Sequence, residues 1–93
     1  MIIDFRCEET EKIYNRKRSR KLPNKIQHVA LRKLWMIDNA IDINDLRIPP
    51  ANHLELLHGN KKGKYSIRIN DQWRICFSWN GTNAKEVEII DYH

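Results

Sequence analysis

An α+β fold of order β-α-α-β-β-β-β is predicted by three features of the 93-residue chain. Ile26, Ala30, Leu34 and Ile37 recur at helical spacing, whereas from residue 65 onward apolar and polar residues alternate at the period of a strand. Turn-forming clusters divide this second half at residues 59–63, 70–72 and 80–81. The expected architecture is two helices packed on an antiparallel sheet.

Each element has its own signal. Met1-Ile2-Ile3-Asp4-Phe5 is short and apolar, as an opening strand would be. Glu8 to about Arg16 reads as a short helix with acids in its first turn, where the helix dipole favours anions. The run from Arg16 to Lys21 is expected to be its frayed end and a loop. Pro23 suits the first turn of a second helix, where a missing N–H costs nothing. Val29 and Lys33 flank the apolar stripe of that helix, with Leu31 and Trp35 to one side. Residues Asn39 to His53, rich in Asn and Asp and containing Pro49-Pro50, are expected to form a connecting loop. Strands are expected at Leu54 to His58, Tyr65 to Ile69, Trp73 to Trp79 and near Glu86 to Asp91. No linker interrupts the chain, so residues 1–93 are read as one domain.

Composition narrows the function. A hydrophobic content of 41% supports one thin core and argues against disorder. No apolar run approaches the roughly 20 residues a membrane helix needs, and no signal peptide is recognisable, so a cytoplasmic protein without membrane partners is expected. Cys7 and Cys76 match neither a C-x-x-C pair nor a Cys/His zinc spacing, and no cofactor or metal site is expected. The net charge of +5 is concentrated. Lys12, Arg16, Lys17, Arg18, Arg20, Lys21, Lys25, Arg32 and Lys33 occupy one stretch with no acid, and Lys61, Lys62, Lys64, Arg68 and Arg74 form a second group with only Asp71 against them. Localised basicity of this kind suits a polyanion, RNA or DNA phosphate foremost, although a solvated helix face or an acidic protein partner also fits the first block.

Strand alternation then sorts the side chains. Tyr65, Ile67 and Ile69 share one face with Trp73, Ile75, Phe77 and Trp79, which makes that face the core. Arg68 and Arg74 lie on the other face, equidistant from Asp71 and therefore opposite each other across a three-residue loop. Two guanidinium groups so placed repel. The pair is tolerable where water screens it and useful where an anion lies between, and both readings stand. The final Asp91-Tyr92-His93 offers a carboxylate, a phenol and an imidazole for acid/base work, against the plainer reading of a frayed terminus. In a regular strand Tyr92 and His93 face opposite ways, so both reach one site only if the strand bends near Asp91. His28 and His53 read as surface residues and Glu55 as a candidate for supporting a site. Cys76 shares the Arg74 face with no base spaced beside it.

The stretch Leu57-His58-Gly59-Asn60-Lys61-Lys62-Gly63-Lys64-Tyr65-Ser66-Ile67-Arg68-Ile69-Asn70-Asp71-Gln72-Trp73-Arg74-Ile75-Cys76-Phe77, together with Asp91-Tyr92-His93, resembles the HigB family of bacterial toxins in the RelE/ParE superfamily, also known as plasmid-maintenance killer proteins. Ile2-Ile3-Asp4-Phe5 and the second helix fit as well, so the resemblance spans nearly the whole chain. It implies a compact α+β domain and a ribosome-dependent endoribonuclease that cuts mRNA in the bacterial cytoplasm. It also implies a HigA-type helix-turn-helix antitoxin, with operator DNA reached only through the antitoxin complex. Arg74 matches the arginine that holds the scissile phosphate; Asp91, Tyr92 and His93 match the family's terminal trio, and Lys61 and Lys62 its RNA-contacting turn. Many relatives carry a lysine where this chain has His58, which leaves the general base open among His58, Tyr92 and His93. Lys64, Arg68, Arg16, Arg18 and Arg20 are expected to add RNA contacts. The chemistry implied is metal-independent attack by a ribose 2′-hydroxyl. A ParE-like toxin that binds gyrase, or an RNA-binding module without catalysis, are the alternatives.

Overall fold

The structure, a computed structural model, describes residues 1–92, with the Lys61 side chain outside the description. The helical stripe behaves as expected: Ile26, Ala30, Leu34 and Ile37 are all buried on α2, which spans Asn24–Asn39. They pack with Ile13 of α1 (Glu8–Tyr14) and with Ile67, Ile75, Phe77, Val87 and Ile89 of the sheet. That sheet is antiparallel in the order β1-β2-β3-β4, formed by Glu55–Leu56, Tyr65–Arg68, Trp73–Trp79 and Ala84–Asp91. Two helices on one face of a four-stranded sheet is the predicted class. Among the described residues no helix is long and apolar enough to cross a membrane.

Several boundaries differ from the sequence reading, each for a local reason. The expected opening strand is reduced to two parallel bridges, Ile2 with Ala84 and Phe5 with Val87. Between them Asp4 Oδ1 accepts the Glu86 amide at 2.5 Å, at a left-handed residue (φ 52°) where the ladder with β3 shifts register. The bulge turns β4 so that a parallel segment meets it only at intervals. β1 shrinks to two residues, and α1 ends at Tyr14 because Arg16 takes a left-handed backbone (φ 64°). Pro23 sits one residue before α2, at its N-cap.

Two segments read as loops are organised. The Arg16–Lys21 run is held by Ser19, which is 1% exposed. Its hydroxyl donates to Glu9 Oε1 at 2.6 Å and accepts from the Lys21 and Leu22 amides at 3.2 Å, while its backbone exchanges hydrogen bonds with the Gln27 amide side chain. Residues 40–53 contain two 3₁₀ turns, Ile43–Arg47 and Pro50–Asn52. Asp42 and Asp45 cap the first turn reciprocally, and Leu46 and Asn52 are buried beneath the segment. The backbone donors of Asp42 and Ile41 hold the Asp45 carboxyl below its usual value. Further ties join the layers. Thr10 Oγ1 accepts the Ile89 amide at 2.9 Å, and Asp38 accepts from Ile2 N and the Tyr14 hydroxyl.

Ser19 carries a pH signature. Its hydroxyl, and then Lys12, hold the Glu9 carboxyl below its ordinary 4.5, so the unfolded chain binds the proton more readily than the folded one. The resulting stabilisation is complete above that ordinary value and fades as pH falls through the lower folded one. Ser19→Ala should lower the melting temperature at neutral pH, because the Lys21 and Leu22 amides lose their acceptor, and should flatten its decline under acid. Thermal melts of both proteins from pH 7 to pH 3 check this; parallel curves would refute it.

Candidate active site

The register predicted for the central hairpin holds: Arg68 is the direct partner of Arg74, and Ile67 of Ile75. Asn70 makes the reversal, its Oδ1 accepting from the Gln72 and Trp73 amides at 2.8 Å. The two guanidinium groups nonetheless part company. Arg68 pairs with the exposed Asp71 in its own turn, while Arg74 turns to Ser66. Neighbouring carboxylate and shared loop favour the local pair.

Arg74 is 8% exposed. Its Nε donates to Ser66 Oγ at 2.8 Å, and its Nη2 donates to the His53 carbonyl at 2.5 Å and, less closely, to the Ser66 carbonyl at 3.5 Å. Glu55 Oε1 lies 3.6 Å from the same Nη2. The phenol ring of Tyr92 covers the group, with Arg74 Cζ 5.4 Å from its centroid. Tyr92 is 41% exposed, and its amide donates to Gln72 O at 2.6 Å, which keeps the end of the described chain on the sheet. Among the described residues, Nη1 has no hydrogen-bond partner. A guanidinium fixed through two nitrogens and presented through the third holds a rigid donor fork toward an oxyanion.

The other sequence candidates fall around this centre or away from it. Glu55 is beside Arg74, as a supporting residue would be. His53 is exposed, as a surface residue would be, yet its backbone carbonyl is one of the acceptors that fix Arg74. His53 is left-handed directly after Pro50–Asn52 (φ 45°), a backbone state that the sequence does not show. His58 is exposed at the start of the Gly59–Lys61 turn with no hydrogen bond to a described residue. Asp91 pairs in register with Trp73, on the face opposite Arg74, and accepts from Gln72 Nε2 at 3.0 Å. His93 and the Lys61 side chain lie outside the described residues. Lys64, expected to be free for RNA, pairs with Glu86 at 3.0 Å, while Lys62 is exposed. Cys76 is buried on the Arg74 face.

The first basic block sits on the helical layer. Arg16 stacks on Trp35, with Cζ 5.0 Å from the ring centroid, Arg18 Nε donates to Asn24 at 3.1 Å, and Arg20 is exposed. Lys33 departs from the block: it is buried and donates to Asn52 Oδ1. Burial, and then the nearby Arg32, push its pKa down.

A family model described as HigB-like toxin, the RelE-like toxin of the type II toxin–antitoxin system HigB, matches residues 3–93. Toxin HigB-1 of Vibrio cholerae serotype O1 is 44% identical over 80 residues, covering 85% of this chain and 84% of that protein. An uncharacterised protein of Haemophilus influenzae is 43% identical over 73 residues, covering 78% and 71%. Among solved structures, a crystal structure of a histidine-to-glutamine variant of E. coli YafQ superposes with a TM-score of 0.67 at 12% identity, covering 98% of this chain and 91% of the other. That last likeness concerns the fold alone.

Because Arg74 satisfies Ser66 and His53, removing it leaves buried acceptors unmet. Arg74→Ala should cost about 1–3 kcal/mol, a fall of about 4–8 °C in Tm per kcal/mol in a domain of this size. Arg74→Lys, which keeps the charge without the fork, should recover only part of the loss. A calorimetric Tm equal to wild type in Arg74→Ala would contradict this account of the guanidinium.

Proposed function

We propose that this chain, which belongs to the HigB-like family of RelE-like toxins of type II toxin–antitoxin systems, is a ribosome-dependent endoribonuclease that cuts mRNA during translation and is neutralised by a HigA-type helix-turn-helix antitoxin. The observation that carries the reading is Arg74. Its guanidinium is immobilised by Ser66 and the His53 carbonyl, lies under the Tyr92 ring and keeps Nη1 unclaimed among the described residues. A group fixed before the substrate arrives stabilises developing charge without reorganising.

The reaction proposed is attack of a ribose 2′-hydroxyl on the adjacent phosphorus. The 2′-oxygen forms a new P–O bond, the bond to the 5′-oxygen breaks, and the products are a 2′,3′-cyclic phosphate and a 5′-hydroxyl. Arg74 carries the negative charge of the phosphorane. A base takes the 2′-proton and an acid returns one to the leaving oxygen, each contributing about a hundredfold to ten-thousandfold. His58, Tyr92 and His93 are the sequence candidates for those roles; His53, exposed and hydrogen-bonded to Arg74 through its carbonyl, joins them. Asp91, on the face opposite Arg74, would act by orienting the chain end. Lys61, Lys62 and the Arg16–Arg20 loop would contact RNA backbone. Operator DNA would be met only within the antitoxin complex.

Few acid/base groups beside a large basic surface suit an enzyme that borrows its substrate geometry, since orientation is worth several powers of ten. Purified protein added to a translating mRNA should give in-frame cleavage by primer extension, while naked RNA is cut poorly. Arg74→Lys and His93→Ala should each lower the ribosomal rate by about a hundredfold or more. Inhibition of gyrase supercoiling with intact mRNA would instead identify a ParE-like toxin, and RNA retention without cleavage a binding module.

A further inference from the structure

Lys33 and Asn52 are unexplained by the reaction. Lys33 is 6% exposed and Asn52 fully buried, and the ammonium donates to Asn52 Oδ1, its single hydrogen bond among the described residues. A buried lysine is costly, and an apolar side chain of similar length would fill the space more cheaply. Stability alone therefore does not account for the pair. Asn52 uses its other end fully: Nδ2 donates to the carbonyls of Leu46 at 3.1 Å and Ile48 at 3.5 Å and touches Met36 Sδ at 3.8 Å. One side chain thus joins α2 to both 3₁₀ turns.

The next residue is His53. Its backbone is left-handed (φ 45°, ψ 55°), a conformation that a residue with a Cβ rarely adopts. Such strain persists only where the surroundings hold it on both sides. Before it stands Asn52; after it the His53 carbonyl accepts Arg74 Nη2 at 2.5 Å. We propose that Lys33 and Asn52 are positioning residues, which hold His53 left-handed so that its carbonyl sets the direction of the Arg74 guanidinium. The catalytic part of this rests on the reading of Arg74 as the phosphate-holding group; the geometric part does not.

The test uses Lys33→Met, which keeps length and removes the donor. In NMR spectra of the whole chain the Arg74 Nε–H signal, identified by its loss in Arg74→Lys, should exchange with water at least about tenfold faster in Lys33→Met, because a displaced His53 carbonyl no longer holds Nη2 and the guanidinium can swing away from Ser66. Dispersed backbone amides should show the fold intact. Asn52→Ser carries the same expectation and serves should Lys33→Met not fold. In ribosomal cleavage, Lys33→Met should lower the rate about tenfold to a hundredfold at an unchanged half-saturating ribosome concentration. It should have little further effect in an Arg74→Lys background. A staple for the loop alone would leave the Arg74 proton protected and give losses that multiply, and either result overturns the proposal. If the wild-type protein cuts no mRNA, the proposed function fails, while the exchange measurement still decides the positioning role.

Discussion

A guanidinium at 8% exposure must find acceptors for its protons or leave the interior, and much of this structure is arranged around that requirement at Arg74. The antiparallel register of β2 and β3 brings Ser66 beside it, so the hairpin supplies both a hydroxyl and a carbonyl. The 3₁₀ segment before β1 supplies the His53 carbonyl, and β1 itself brings Glu55. A charge placed on a central strand thereby dictates where a long loop must run. Among the described residues the same arrangement leaves Nη1 without a hydrogen-bond partner, so the group that organises the sheet's second face keeps one nitrogen unclaimed there.

The basic residues divide once their contacts are known. Lys33 is buried against the loop, whereas Lys64 and Arg68 hold their surface partners Glu86 and Asp71. Among the exposed cations, Arg16 and Arg18 project from an ordered backbone, the segment pinned by Ser19. Ordering a basic loop in advance lowers the entropy that docking must overcome. The helical layer therefore holds a preformed cationic surface, and the opposite sheet face holds Arg74.

How much of this was legible in the sequence depends on the range of the interaction. Periodicity reported the α2 stripe and the core faces of β2 and β3, because each is a property of neighbouring positions repeated along one element. Symmetry about Asp71 reported the Arg68–Arg74 register for the same reason. Burial of Lys33 and the placement of His53 were not legible, since both arise from contacts between segments 19 and 21 residues apart, through a loop whose shape no local pattern encodes. The Arg68–Asp71 pair was within reach: opposite charges three residues apart in a tight turn are a local signal, and the cross-strand reading overlooked it. Ser19 was lost among arginines, where a small hydroxyl looks incidental.

The parallel bridges of the first residues to β4 carry a consequence for synthesis. Asp4 meets Glu86 across 82 positions, and Thr10 on α1 meets Ile89 across 79. A chain emerging in order can set its opening segment and first helix against α2 through Asp38, but their ties to the sheet wait until the last strand is made. Contacts of such separation raise the contact order and slow closure, because the loop entropy is spent before any contact compensates for it. Tyr92, which covers Arg74, belongs to that same strand region. Sheet closure and completion of the site thus coincide in one late event, and a partly translated chain exposes its basic segments without a finished guanidinium cradle.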